Sequence, residues 1–178
     1  MKVIAIAAVT AGGKTTVVNE LVKTLPCAKS LHFDDYSFEG EVEDFGAWVK
    51  EGADYNVWNL SPLKADILTI RESGECDYLI LDYPFAYCNT GLSKDIDCAI
   101  FIDTPLDIAM ARRILRDMRD STGADIRNEL EVYIRFARDA YVAMLEKVRP
   151  SSDYIIDGTK ELDEKVQEIM KLIFAMQE

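Results

Sequence analysis

The sequence is short of histidine, of positive charge and of long apolar runs, and each shortage closes off a class of function. One histidine stands among 178 residues. The four cysteines, Cys27, Cys76, Cys88 and Cys98, show no C-x-x-C spacing. A zinc site therefore has no ligand set to draw on, and scattered reduced thiols of a cytosolic protein are expected instead. Twenty Lys and Arg face 32 Asp and Glu, a formal net charge of −12. That balance argues against a nucleic-acid partner, whose phosphates need a basic face, and against an anionic membrane surface. No apolar stretch approaches the roughly 20 residues of a membrane span. The apolar run at the N-terminus, Val3 to Val9, is too short for a signal peptide and lacks a cleavage site. Repeats, low-complexity tracts and linkers are missing too. With 49% apolar and 29% charged residues the composition is globular rather than disordered. The expectation is a single cytoplasmic domain over 1–178, as a monomer or homodimer.

What the chain does contain is concentrated in Lys2 to Asn19, KVIAIAAVTAGGKTTVVN. A run of β-branched and small apolar residues breaks at a glycine turn and leads into an amphipathic helix. The form is A-x-x-x-x-G-K-T, a Walker A pattern with Ala8 where the first glycine normally sits. Gly12 and Gly13 let the backbone approach a polyphosphate and take dihedrals that a Cβ opposes. The N–H groups of Thr10 to Thr16, Ala11 among them, and the following helix N-terminus then form an anion site. Lys14 is placed to reach β and γ phosphates, and Thr15 offers a hydroxyl to Mg²⁺. Ala8 implies a negative φ at that position. An ordinary glycine-rich turn between strand and helix would need none of this chemistry.

The rest of the chain alternates strand and helix. The first helix is expected from Lys14 to Leu25, before Pro26, and a strand from Ala28 to Phe33. That strand ends in Asp34-Asp35-Tyr36. Acids at a strand's carboxyl end, opposite a phosphate loop, are candidates for a general base or a metal-associated carboxylate. Glu41 to Lys50 reads as a short helix with Phe45, Trp48 and Val49 inward. Asp54 to Asn59 has no clear period; its aromatic and amide residues either line a pocket or pack as a loop on the core. Ser61-Pro62 opens a helix that Gly74 stops. Tyr78-Leu79-Ile80-Leu81-Asp82 is a continuous apolar run ending in an acid, as in a strand buried on both faces. Asp82 is then placed like a Walker B carboxylate that supports Mg²⁺. Pro84 to Lys94 reads as a loop and Cys98 to Asp103 as a strand.

Thr104-Pro105 starts a helix whose expected inner stripe is Ile108, Ala111, Leu115 and Met118. Arg112, Arg113, Arg116 and Arg119 fall on other faces. Arginine suits forked contacts with phosphate oxygens, so the tract reads as a lid over 112–127 with a flexible tip at Asp120 to Gly123; the alternative is a solvated face paired with Asp117 and Asp120. A long helix from Asp125 to Val148 follows, with the stripe Ile126, Leu130, Ile134, Ala137, Tyr141, Leu145 and Val148. Tyr154 to Asp157 is the last strand, before Gly158-Thr159 and a final helix burying Leu162, Val166, Ile169, Ile173 and Met176. The alternation predicts an α/β fold, a five-stranded mainly parallel sheet flanked by helices on both faces.

Together these motifs resemble the uridine kinase-like P-loop kinases, and within them the nicotinamide riboside kinases. The resemblance implies a P-loop NTPase fold with strand order 2-3-1-4-5. It implies Asp34 as catalytic base, with Asp35 and Tyr36 beside it in a substrate segment, and Asp82 at the position of an acid that ends the third strand. Arg112 and Arg116 would face the nucleotide and Arg113 the substrate. Gly158 and Thr159 resemble a late loop beside adenine. Tyr55-Asn56 stands where the family has a Tyr-Asp that holds ribose hydroxyls, and Asn brings no charge to that task. The expected function is ATP- and Mg²⁺-dependent phosphorylation of a hydroxyl on a small metabolite, a nucleoside or riboside. Lys14 and Arg116 would act at the transferring phosphoryl, and Thr15, Asp34 and Asp82 at the metal. The alternatives are another small-molecule or nucleotide kinase of the same fold, or a nucleotide-binding switch that transfers nothing.

Overall fold

Three strands carry apolar residues in nearly every position: β1 (Lys2–Ala7), β3 (Tyr78–Asp82) and β4 (Cys98–Asp103). Strands of that composition have no side to turn to water, so they take the centre of a sheet covered on both faces. In the computed structural model, which describes residues 1–176, they do so; residues 177 and 178 of the span expected as one domain lie outside the described residues. The mixed strands β2 (Ala28–His32) and β5 (Tyr154–Asp157) take the edges. The order is β2-β3-β1-β4-β5 and every pairing is parallel, as the resemblance implies.

Side-chain alternation along the central strands divides the interior in two. Ile4, Ile6, Ile80, Ile100 and Ile102 face α1 (Lys14–Thr24) and α8 (Leu162–Ala175), where Val17, Leu21, Val166, Ile169 and Ile173 meet them. Val3, Ala5, Leu79, Leu81 and Phe101 face the other way. There α2 (Phe45–Lys50), α3 (Ser61–Ser73), α4 (Leu106–Asp117) and the long helical run after it cover the sheet. No described helix is long and apolar enough to cross a membrane.

Several boundaries and stripes differ from expectation. β2 stops at His32, and Phe33–Asp35 turns as a 3₁₀ segment. α2 begins at Phe45 because the Asp44 carboxylate caps it, accepting from Ala47 N at 2.9 Å. In α4 the expected stripe is wrong. Leu115 is 76% exposed, whereas Ala109 and Met110 are buried and Leu106 and Ile114 pack beside them. Leu115 falls on the face of the helix turned to water. Thr104 does not cap α4; its hydroxyl donates to Gly12 O at 2.8 Å, and Pro105 precedes the first turn.

Asp120 to Thr122, most of the stretch expected as the tip of a lid, form a turn that leads into a capped helix at Gly123. Thr122 and Asp125 form a reciprocal capping box at the head of α5 (Gly123–Val132). The expected single helix then continues to residue 151 through two π segments, Tyr133–Ala137 and Met144–Val148, around α6 (Arg138–Ala143), ending in α7 (Arg149–Ser151). Each π segment shifts the inward face. Tyr133 is buried in place of Leu130 and Ile134, which are 37% and 69% exposed, while Tyr141 and Val148 are buried as expected.

Gly158 N donates to Asp103 O at 3.0 Å, and the residue rests against Thr104. A Cβ at 158 would lie 2.7 Å from Thr104 Cα and 2.8 Å from its Cβ. Backbone at that distance cannot rotate away. Gly158→Ala is therefore expected to lose about 1–3 kcal/mol, read as a melting temperature lower by several degrees; an unchanged melt would mean the β4 and β5 ends are not packed this tightly.

Candidate active site

The turn after β1 is built by close approach. Gly12 N donates to Val9 O at 2.9 Å, and a Cβ at Gly12 would stand 2.8 Å from that oxygen and 2.9 Å from Ala8 Cβ. Gly12 is thus required for proximity rather than for its dihedral. Gly13 supplies the unusual dihedral, φ +97°, as the residue capping α1, and it has no side chain to close the helix N-terminus. Ala11 also sits in the left-handed region, φ 57°, a conformation that costs an alanine of order 1 kcal/mol and clusters at ligand sites. Ala8 is buried and keeps a negative φ, as expected.

This turn forms one wall of a cavity of about 740 Å³. Thr10 to Thr16, Asp34, Arg112, Arg116 and Thr159 all line it. Four separate chain segments that sequence reasoning assigned to one site therefore meet. Asp34 reaches the cavity because the 3₁₀ turn at Phe33–Asp35 swings it off the end of β2. Gly158 lies buried beneath, and its neighbour Thr159 is fixed by Asp157, whose Oδ1 accepts from Thr159 N and Oγ1 at 2.8 and 2.6 Å.

Lys14 is largely withdrawn from water and binds the carboxylate of Asp82, which is itself 3% exposed. Burial pushes the Lys14 ammonium down to about 8, and the negative charge of Asp34 opposes that shift without cancelling it. The other Asp82 oxygen takes a bond from His32 Nδ1 at 3.0 Å. Asp82 ends β3 as expected, and both its oxygens are engaged by protein groups.

A second cavity of about 390 Å³ adjoins the first, sharing Thr10, Phe45, Trp58, Phe85 and Met144. Its remaining walls include Trp48, Tyr55, Tyr141 and Arg113. Trp48, Tyr55 and Trp58 pack edge-on or stacked, with ring centroids 5.0 to 6.4 Å apart. The irregular segment at 54–59 thus does both things expected of it: Tyr55 and Trp58 line a cavity and also belong to the core. Arg113 is held at the cavity by Glu129 at 2.7 Å and by the Tyr141 hydroxyl at 3.0 Å. Arg116 forks onto Asp117 at 2.5 and 2.9 Å, which raises the guanidinium pKa.

Five candidate residues line neither cavity: Asp82 and Gly158, placed above, and Asp35, Tyr36 and Asn56. Asp35 is exposed beside the 3₁₀ turn. Tyr36 instead gives its hydroxyl to Asp66 at 2.7 Å, and burial and that carboxylate hold its proton in place. The Asn56 side chain is consumed locally: its Oδ1 accepts from Thr90 N and Oγ1 at 2.9 and 2.8 Å, while its Nδ2 donates to Asp54. Conversely, sequence reasoning passed over Lys165, which is 6% exposed, lines the first cavity and donates to Lys160 O at 2.7 Å. Burial and nearby Arg112 lower its pKa. Lysine in the first turns of an apolar-striped helix gave no signal of its own. His32 was legible as the sole histidine, at a strand end next to the acidic pair, but was weighed only as a zinc ligand.

Residues 72–164, just over half the chain, match the phosphoribulokinase / uridine kinase family. The uridine kinase of Borrelia hermsii (strain HS1 / DAH) is 26% identical over 178 aligned positions, covering 88% of this chain and 86% of that one. The uridine kinase of Staphylococcus haemolyticus (strain JCSC1435) is 26% identical over 179 positions, 86% of each. Among solved structures, shikimate kinase from Aquifex aeolicus superposes with a TM-score of 0.52 over 98% of both chains at 15% identity, which is a likeness of fold.

The depressed Lys14 ammonium has a measurable consequence. A polyanion entering the cavity favours the charged form, so binding near and above pH 8 takes up a proton. Calorimetric titration with MgATP in buffers of different ionisation enthalpy is expected to show net uptake at pH 8.5 and little at pH 6.5, with affinity falling as pH rises through about 8. In Lys14→Met the uptake disappears. Equal proton release or none in the wild type would contradict this placement of Lys14.

Proposed function

The chain belongs to the phosphoribulokinase / uridine kinase family, and from that premise we propose that it transfers the γ-phosphoryl of ATP to a hydroxyl of a small metabolite, a nucleoside or riboside. The observation that carries the reading is the shared cavity. Lys14 and the amides of the phosphate turn open on it from one side and Asp34 from another, and the aromatic cavity adjoins it. A nucleotide's phosphates fit the first cavity because the turn leaves backbone N–H groups, and no side chain, at the head of α1. An acceptor with a planar ring fits the second, where Trp48, Tyr55, Trp58 and Phe85 give apolar and stacking contact.

In this arrangement the protein's contribution is position and charge. The turn amides and Lys14 hold the β and γ phosphates; Asp34 accepts the acceptor's hydroxyl proton, or orients that hydroxyl toward phosphorus. Arg112 and Arg116 lie at the cavity to neutralise charge on the transferring group, with Arg116 exchanging its Asp117 partner for phosphate oxygen. Thr159 lies at the far wall, suited to the nucleotide's base. Among the described residues no cluster of three or more His, Cys, Asp and Glu forms a metal cage. Thr15 and Asp34 would hold a magnesium ion, which would supply positive charge to neutralise the phosphates. Arg113 and Tyr141 border the acceptor side, and Tyr55 contributes its ring face there.

Asp34→Asn is expected to lower turnover by about 10²- to 10⁴-fold while ATP still binds, as read by calorimetry. Activity is measured as ATP consumption across a panel of ribonucleosides, deoxynucleosides and non-ribose alcohols. Consumption that ignores every acceptor would replace transfer with a nucleotide switch, and undiminished turnover in the variant would remove Asp34 from the base role.

A further inference from the structure

His32 takes no part in the function just described, yet it is tied to its centre. β2 and β3 pair in parallel with His32 opposite Asp82, so both side chains leave the sheet on the same face. The ring donates Nδ1–H to Asp82 Oδ2 at 3.0 Å, and its Nε2 meets Ser30 Oγ at 3.1 Å. Ser30 lies two residues back and therefore on the same face. One neutral tautomer satisfies both contacts: Nδ1 donates to the carboxylate and Nε2 accepts the serine proton. The ring lines neither cavity, so it touches no substrate.

The other Asp82 oxygen binds Lys14. Phosphoryl transfer calls Lys14 to the phosphates, and the buried Asp82 then loses its cation. A carboxylate that is 4% exposed in its side chain cannot be left without partners or free to turn. We propose that His32 is a positioning residue: it holds the Asp82 carboxylate with Oδ1 turned to the phosphate loop, both while Lys14 is docked there and after Lys14 has moved to the nucleotide. A fixed Asp82 gives Lys14 a defined place to leave from and return to, and gives cations at the loop a stationary negative charge. This inference rests on the kinase reading above.

The test compares wild type with His32→Ala and His32→Leu, which donate nothing, and His32→Asn, whose Nδ2 falls where Nδ1 lies. The donor-less variants are expected to lose about tenfold to a hundredfold in kcat/KM for MgATP, with the acceptor KM within about twofold and melting temperatures close to wild type. His32→Asn is expected to recover most of that loss. Because His32 acts only through Asp82, adding His32→Ala to Asp82→Ala, which has no acceptor, is expected to cost nothing further. The proposal is overturned by donor-less variants that match wild type, by an acceptor KM that moves instead, by an additive double variant, or by an asparagine variant that folds but does not recover. If one donor-less variant melts early, the other and the asparagine variant still decide the matter. A wild-type protein that transfers phosphate to no acceptor would sink the kinase reading, and this inference with it; an active wild type with indifferent variants sinks this inference alone.

Discussion

The chain at residue 12 runs so close to Val9 and Ala8 that a single methyl group has nowhere to go. Everything near the site follows from that crowding. The tight turn brings the head of α1 directly over the carboxyl ends of the strands and leaves its backbone donors pointing at open space. The hydroxyl of Thr104 pins the turn from the end of β4 by bonding Gly12 O. Gly158, pressed on Thr104, ties the end of β5 to the same point. Three strand ends are thus clamped about one loop, and that loop walls the first cavity.

The sheet was legible because its centre is buried on both faces. Continuous apolar runs at Val3–Ala7, Tyr78–Leu81 and Cys98–Ile102 have no other stable reading beside helices of regular period. Its strand order came from resemblance, since pattern alone does not say which strands are neighbours. The nucleotide side of the site was legible for a similar reason: glycine, lysine and threonine at fixed offsets record backbone geometry directly. The aromatic cavity was legible only in part: Tyr55 and Arg113 line it as expected. Asn56, Asp35 and Tyr36 stood at promising positions in the chain, but their side chains are bound by Thr90 and Asp66 or face water, contacts between segments 30 or more residues apart. The stripes of α4 and α5 misled because amphipathic spacing assumes 3.6 residues per turn and a core on every apolar face. Two π segments break the first assumption, and Leu115, on a face turned to water, breaks the second.

The charges at the site form a balanced set that the net charge of −12 conceals. Lys14 rests on Asp82, Arg116 on Asp117, and Arg113 on Glu129. Each of these three cations has an acid to lean on, whereas Lys165, buried at the first cavity, donates to the carbonyls of Gly158 and Lys160. On the proposed function, an incoming polyphosphate would compete with carboxylates already in place, which would lower raw affinity and favour a ligand that satisfies all three cations together.

The two wide turns at Tyr133–Ala137 and Met144–Val148 bracket Ala140 and Tyr141, which wall the aromatic cavity. A wide turn holds one residue more than an ordinary one. Deleting a residue there restores the common pitch, and moving the bulge along the helix rotates the bracketed stretch by roughly 100°, while the capped start at Thr122 and the buried Val148 stay anchored. Sliding the bulge would therefore present different side chains to the aromatic cavity, with the sheet and the phosphate turn left as they are.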